Sequence, residues 1–150
     1  MQYEIKGGSM PVVVCTLQNG ESIKTEKGAM SWMSPNMEMQ TNAGGGIGKA
    51  FSRIFTGESM FQNIYTARGG TGLIAFASSF PGEILAIPIS ASRSIVAQKH
   101  AFLAMESGVD VKLFFQKRFG SGLFGGEGFI MQQFLGNGIV FLEIDGSVVE

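Results

Sequence analysis

Charge is scarce in this sequence. Asp, Glu, Lys and Arg make up only 15% of its 150 residues, and 11 basic against 12 acidic side chains leave a formal net charge of −1. No run of like charges forms a binding tail, and no basic stripe supplies the footprint that a nucleic-acid surface requires. Cysteine and histidine each occur once, as Cys15 and His100. One cysteine cannot build a disulfide framework, which fits a reducing compartment. One of each cannot supply the usual nitrogen and sulfur ligands of a zinc site. A Ser-His-Asp triad could draw only on His100, and the Gly-x-Ser-x-Gly elbow is missing. No apolar stretch approaches the roughly 20 residues that span a bilayer as a helix. The best candidate, Leu73 to Phe80, has the length of a strand. The N-terminus, Met1-Gln-Tyr-Glu-Ile-Lys6, lacks a basic region followed by an apolar core. These shortages predict a cytoplasmic protein with no membrane or nucleic-acid signal, no cofactor, and no catalytic or metal-binding constellation.

Hydrophobic residues are plentiful, at 45%, and glycine is the compositional outlier with 22 residues. Short apolar runs set between glycine turns are the pattern of an all-β domain. Val109, Val111, Leu113 and Phe115 point one way, with Asp110 and Lys112 the other. Val140, Leu142 and Ile144 alternate with Phe141, Glu143 and Asp145, and Met37 and Met39 with Glu38 and Gln40. That period of two predicts half-buried strands. Val12 to Val14, Leu73 to Ala77 and Ile84 to Ile89 are apolar on both faces, as central strands or strands lost into an interface are. Pro88 demotes its segment to a sheet edge or a bulge. Asn19-Gly20, Asn137-Gly138 and Asp145-Gly146 are hairpin-type dipeptides, and Pro81-Gly82 suits a type II turn. Cys15, inside Pro11-Val-Val-Val-Cys-Thr-Leu17, reads as a small buried hydrophobe.

An internal repeat organises these segments. A shift of 72 residues places Ser22 on Ser94, Ile23 on Ile95, Ala29 on Ala101 and Met33 on Met105. Further along, Ile54-Phe55-Thr-Gly57-Glu58 pairs with Leu123-Phe124-Gly-Gly126-Glu127, at a shift of 69. Gly70-x-Gly72-Leu-Ile-Ala-Phe76 then pairs with Gly136-x-Gly138-Ile-Val-Phe-Leu142, at 66. Loop insertions and deletions account for the drift. Two similar β units follow, about 1–77 and 78–150.

The tempting motifs have plainer readings. Gly120-x-Gly122-x-x-Gly125 matches the dinucleotide fingerprint, but that fingerprint must open a helix in a parallel βαβ unit. Gly44-Gly-Gly-Ile-Gly-Lys49 lacks both the first glycine and the hydroxyl of a phosphate loop. Glu58 and Glu127 fall at equivalent repeat positions. A carboxylate pair can do acid–base work, yet structural turn carboxylates, accepting amide hydrogen bonds or pairing with a cation such as Arg68 or Arg118, explain them more simply. Ile47, Phe51, Ile54 and Phe55 have helical spacing, which predicts one short helix or ordered loop near 47–55. Met30, Trp32, Met33, Met37 and Met39 form an unusual cluster. Core packing is its bland reading, and a soft, adaptable interaction surface the alternative.

Five stretches carry a family resemblance. Gly120-Ser-Gly-Leu-Phe-Gly-Gly-Glu-Gly-Phe129, with Gly136-Asn-Gly-Ile-Val-Phe141, resembles a signature of the mitochondrial-biogenesis (altered inheritance of mitochondria) family. Gly57-Glu-Ser-Met-Phe61, Tyr65-Thr-Ala67 and Pro81-Gly82 resemble its earlier stretches. The resemblance implies a fold similar to the tryptophan RNA-binding attenuation protein, whose β-sandwich units assemble in rings, and three units per full-length chain. A C-terminal third unit would then be lacking here, leaving an exposed strand edge. Bacterial members of the family have no settled activity.

The expectation is therefore an all-β chain of repeated β-sandwich or short double-stranded β-helix units that forms homo-oligomers. Its expected role is that of a non-enzymatic scaffold or interaction protein with an unknown protein partner. The alternative is a small-molecule or RNA-binding sensor with an intersubunit pocket.

Overall fold

A computed structural model describes residues 1–26, 28–42, 62–117 and 128–145. The strands among them, in chain order, are β1 (Gln2–Lys6), β2 (Val12–Leu17), β3 (Ser22–Glu26), β4 (Met30–Met33) and β5 (Met37–Asn42). Then come β6 (Gln62–Ala67), β7 (Gly72–Ala77), β8 (Gly82–Ile89) and β9 (Ile95–Gln98). The last are β10 (Phe102–Glu106), β11 (Val109–Lys117), β12 (Gly128–Gly136) and β13 (Gly138–Asp145). A 3-10 turn, Lys99–Ala101, links β9 to β10. The fold is all-β, as the glycine-punctuated apolar runs predict.

Among the described residues the strands pair antiparallel, in three sheets ordered β1-β2-β7-β4, β5-β6-β3-β10-β13-β8 and β11-β12-β9. The pairing order β5-β6-β3 has its counterpart in β11-β12-β9, and β2-β7-β4 in β8-β13-β10. The registers correspond residue by residue. Leu17 faces Gly72, and Ile89 faces Gly138. Ile23 faces Tyr65, and Ile95 faces Phe134. Met37 faces Ala67, and Val109 faces Gly136. The register shift between Met30 and Trp32 recurs between Phe102 and Ala104.

Two apolar clusters fill the space between sheets. One joins Val13, Cys15 and Leu17 of β2, Ile74 and Phe76 of β7, Ile23, Met37 and Tyr65. The other joins Phe102 and Met105 of β10, Val140 and Leu142 of β13, Val109, Ile89 and Phe134. Strand β13 serves both: Phe141 enters the first cluster while Val140 and Leu142 enter the second. This corrects the predicted half-buried alternation, because Val140, Phe141, Leu142 and Glu143 are all buried. A strand packed on both faces needs apolar residues on both.

The turn dipeptides also need correction. Asn19-Gly20 joins β2 to β3, and Asn137 joins β12 to β13, yet neither pair of strands is hydrogen-bonded together. They are corners where the chain changes sheets. At the second corner Asn137 N–H donates to the Gly108 carbonyl at 3.0 Å. Gly136 has φ +97°, and an added Cβ would sit 2.4 Å from the Gly108 carbonyl oxygen. Only glycine fits there. Pro88 lies on β8, an edge of the six-stranded sheet among the described residues, as its missing donor requires.

Candidate functional site

The methionine–tryptophan cluster separates into buried and exposed parts. Met37 is in the first apolar cluster, and Met30 packs against it half-buried. Trp32, Met33 and Met39 are exposed, by 46%, 37% and 52%. Among the described residues, Trp32 and Met33 lie on a free edge, since β4 hydrogen-bonds only to β7. A local frame holds this edge in place. Ser34 N–H donates to the Leu73 carbonyl at 2.8 Å, and Leu73 N–H donates back to Ser34 Oγ at 2.9 Å. Asn36 Nδ2 donates to the Thr71 carbonyl at 3.1 Å. The edge is therefore rigidly held while its apolar side chains face solvent. Core packing accounts for Met37 but not for Trp32, Met33 or Met39.

A second site lies where β3 meets β10. Ala104 faces Thr25, Met105 faces Lys24 and Glu106 faces Ile23 across this joint. Thr25 is buried and its hydroxyl donates to the Leu103 carbonyl at 2.6 Å. Lys24 Nζ donates to the Val109 carbonyl at 2.7 Å. Burial holds the Lys24 ammonium below its usual pKa, partly offset by Asp110. Beside the joint opens a cleft of about 240 Å³, lined by Glu26, Ser79, His100, Phe102, Leu103 and Glu143 among others. Glu143 is buried and accepts hydrogen bonds from the Ser79 hydroxyl and, at 3.1 Å, from the Ser79 amide. A carboxylate so placed is fixed in direction and remains acceptor-only when ionised. Sequence reasoning put Glu143 on an outer face. Its position inside the apolar run Ile139 to Ile144 is the signal that could have marked it as buried.

Glu58, Glu127, the 47–55 segment, and the glycine stretches 44–49 and 120–125 lie outside the described residues. Arg68 Nε donates to Glu38 at 3.1 Å. Cys15 is fully buried, and its thiol pKa is pushed up to about 12 by burial, with the charge of Glu106 adding to the rise. No group of three or more His, Cys, Asp or Glu that could hold a metal occurs among the described residues. No helix among them is long and apolar enough to cross a membrane.

Known proteins resemble this chain over nearly its whole length. Residues 3–150 match the family described as mitochondrial biogenesis AIM24. An uncharacterized protein of Streptococcus pyogenes serotype M6 is 32% identical over 125 residues, covering 79% of this chain and 49% of the relative. A crystal structure of a Streptococcus pyogenes protein from a structural-genomics programme superposes with a TM-score of 0.76. It is 25% identical and covers 97% of this chain but 65% of the solved one. The chain thus spans about half of its curated relative and just under two-thirds of the solved chain.

Proposed function

The chain belongs to the mitochondrial biogenesis AIM24 family, and on that footing we propose that it is a non-enzymatic scaffold or interaction protein that works as a homo-oligomer. The observation that carries this reading is the edge of β4, which among the described residues has no neighbouring strand and presents Trp32 and Met33 to solvent on a firmly held strand. An unpaired strand edge with apolar side chains is a template for another chain. Met39, on β5, an edge strand among the described residues, adds an exposed apolar side chain.

The reading includes two copies of one β unit, about 1–77 and 78–150. The matching registers support it: the same strand pairs, facing residues and register shift recur in both halves. A reducing, cytoplasmic setting is part of the same reading, supported by one unpaired cysteine buried in the core. Light scattering during gel filtration tests the proposal. A mass above that of one chain is expected, and a monomer at every concentration would contradict it.

The cleft beside the β3·β10 joint favours a second reading, a small-molecule sensor. Its fixed carboxylate, Glu143, with Glu26 and His100 in the lining, suits a small ligand rich in hydrogen-bond donors or carrying a positive charge. Native mass spectrometry would report such a ligand as a stoichiometric adduct on the purified chain, lost in Glu143→Gln. A wild-type spectrum without an adduct favours the scaffold reading.

A further inference from the structure

The cleft beside the β3·β10 joint takes its walls from both halves of the chain. Gly28 and Ala77 come from the first half, and His100, Leu103 and Glu143 from the second. Four of these residues form two pairs at equivalent positions. The register that sets Gly72 on Gly138 also sets Ala77 on Glu143. The 72-residue shift that sets Met30 on Phe102 also sets Gly28 on His100. Where the first half contributes a hydrogen atom and a methyl group, the second contributes an imidazole and a carboxylate.

The strand does not need an acid at this position. Ala77 serves the equivalent one, facing Val12 as Glu143 faces Ile84. Ser79 does not need it either, because Ser79 is exposed and its hydroxyl has water as an alternative partner. Yet Glu143 is only 4% exposed. Burying a carboxylate is costly unless an opposite charge and hydrogen bonds compensate it. Among the described residues no lysine, arginine or histidine hydrogen-bonds or ion-pairs with Glu143. The neutral donors of Ser79 fill two of its roughly four acceptor sites. The remaining acceptor capacity belongs to a carboxylate that lines the cleft, next to the buried side chains of Phe102 and Leu103.

From this we infer that the cleft binds a small organic cation, a primary ammonium on a short apolar or aromatic body, with Glu143 as its counter-ion. The inference rests on the small-molecule reading of the cleft and names the chemical class of its ligand. An ammonium group has donors and no acceptor, which suits a fixed side chain that only accepts. An anion would be repelled by Glu143, and a neutral alcohol would leave the buried carboxylate without an opposite charge. The cleft volume of about 240 Å³ lies below the roughly 300–1,000 Å³ of pockets for drug-sized ligands. That limits the body to one ring or a short alkyl chain. A ligand held there touches both halves of the chain, so its binding stabilises the joint between them.

Isothermal titration of the purified chain with phenethylamine, phenethyl alcohol and phenylacetate, which share a shape and differ in charge, tests the assignment. The amine is expected to bind at least roughly tenfold more tightly than the alcohol, since a charge-assisted hydrogen bond outweighs a neutral one. Phenylacetate is expected not to bind. Glu143→Gln keeps the size of the side chain and is expected to erase the advantage of the amine while circular dichroism stays unchanged. Ala77→Leu, at an exposed position, leaves Glu143 and Ser79 in place. By filling the cleft it is expected to weaken amine binding at least roughly tenfold, and it decides the matter if Glu143→Gln fails to fold. An alcohol or acid that binds as tightly as the amine, or an amine affinity that survives both variants, overturns the cation site and leaves a small-molecule cleft standing. Failure of all three probes to bind overturns the inference, and a native mass spectrum of the wild type without any adduct overturns the reading beneath it.

Discussion

Single residues show how burial sets chemistry in this chain. Cys15 lies between sheets, and its thiol pKa of about 12 leaves almost no thiolate near neutrality. Its reaction with a thiol reagent is expected to track global unfolding, and a thiol titrated promptly in the native protein would contradict that placement. Phe141 is fully buried and meets Tyr3 edge-on with ring centroids 5.2 Å apart. Phe141→Ala is expected to cost about 3–5 kcal/mol, the range for emptying an aromatic core site, as measured by urea denaturation. Glu21 accepts from the Gln18 amide at 2.6 Å and from the N-terminal ammonium at 3.1 Å, which together hold its carboxyl below the usual range. A depressed carboxylate pKa stabilises the fold above the unfolded-state value and loses that contribution as pH falls through the folded value. Glu21→Gln is therefore expected to flatten the acid side of the stability–pH curve.

At the scale of elements, the strand content was legible and the connections were not. Apolar runs between glycines mark strands whatever sheet they join, so β2, β7 and β8 are readable from Val12–Val14, Leu73–Ala77 and Ile84–Ile89. Alternation worked for β11, where Val109 is buried and Asp110 and Lys112 are exposed. It failed for β13 because Phe141 and Leu142 serve opposite clusters, a fact of packing that no local pattern carries. The Asn-Gly dipeptides marked positions of tight turning, but a local signal does not say whether the next strand pairs or crosses to another sheet. Gly136, at one such corner, is the sharpest test. Gly136→Ala forces a Cβ onto the Gly108 carbonyl at a positive φ. A loss of at least about 1–2 kcal/mol is expected from the left-handed backbone alone, read as a lowered denaturation midpoint. An unchanged midpoint would contradict the described corner.

For the whole molecule, the candidate surface was half visible in the sequence. The density of methionine around Trp32 drew attention to residues 30–39, yet composition cannot tell Met37, in the core, from Met33, on a free edge. Val96 and the β9 edge carried no composition signal. Only the strand correspondence brings Val96 into line with Lys24 and shows a cation replaced by an apolar residue at an edge that has no neighbouring strand among the described residues. Glu143 escaped for a related reason, since an acid in an alternating run reads as solvent-facing until both faces of its strand are known to be covered. The proposed self-association draws on the exposed apolar side chains of β4, and the mass of the chain in solution tests it. Sedimentation equilibrium across a range of concentrations, on the wild-type chain and on Met33→Glu, measures it. The expected result is a mass well above one chain for the wild type and one-chain mass for Met33→Glu; a wild type that stays at one-chain mass throughout would contradict the account.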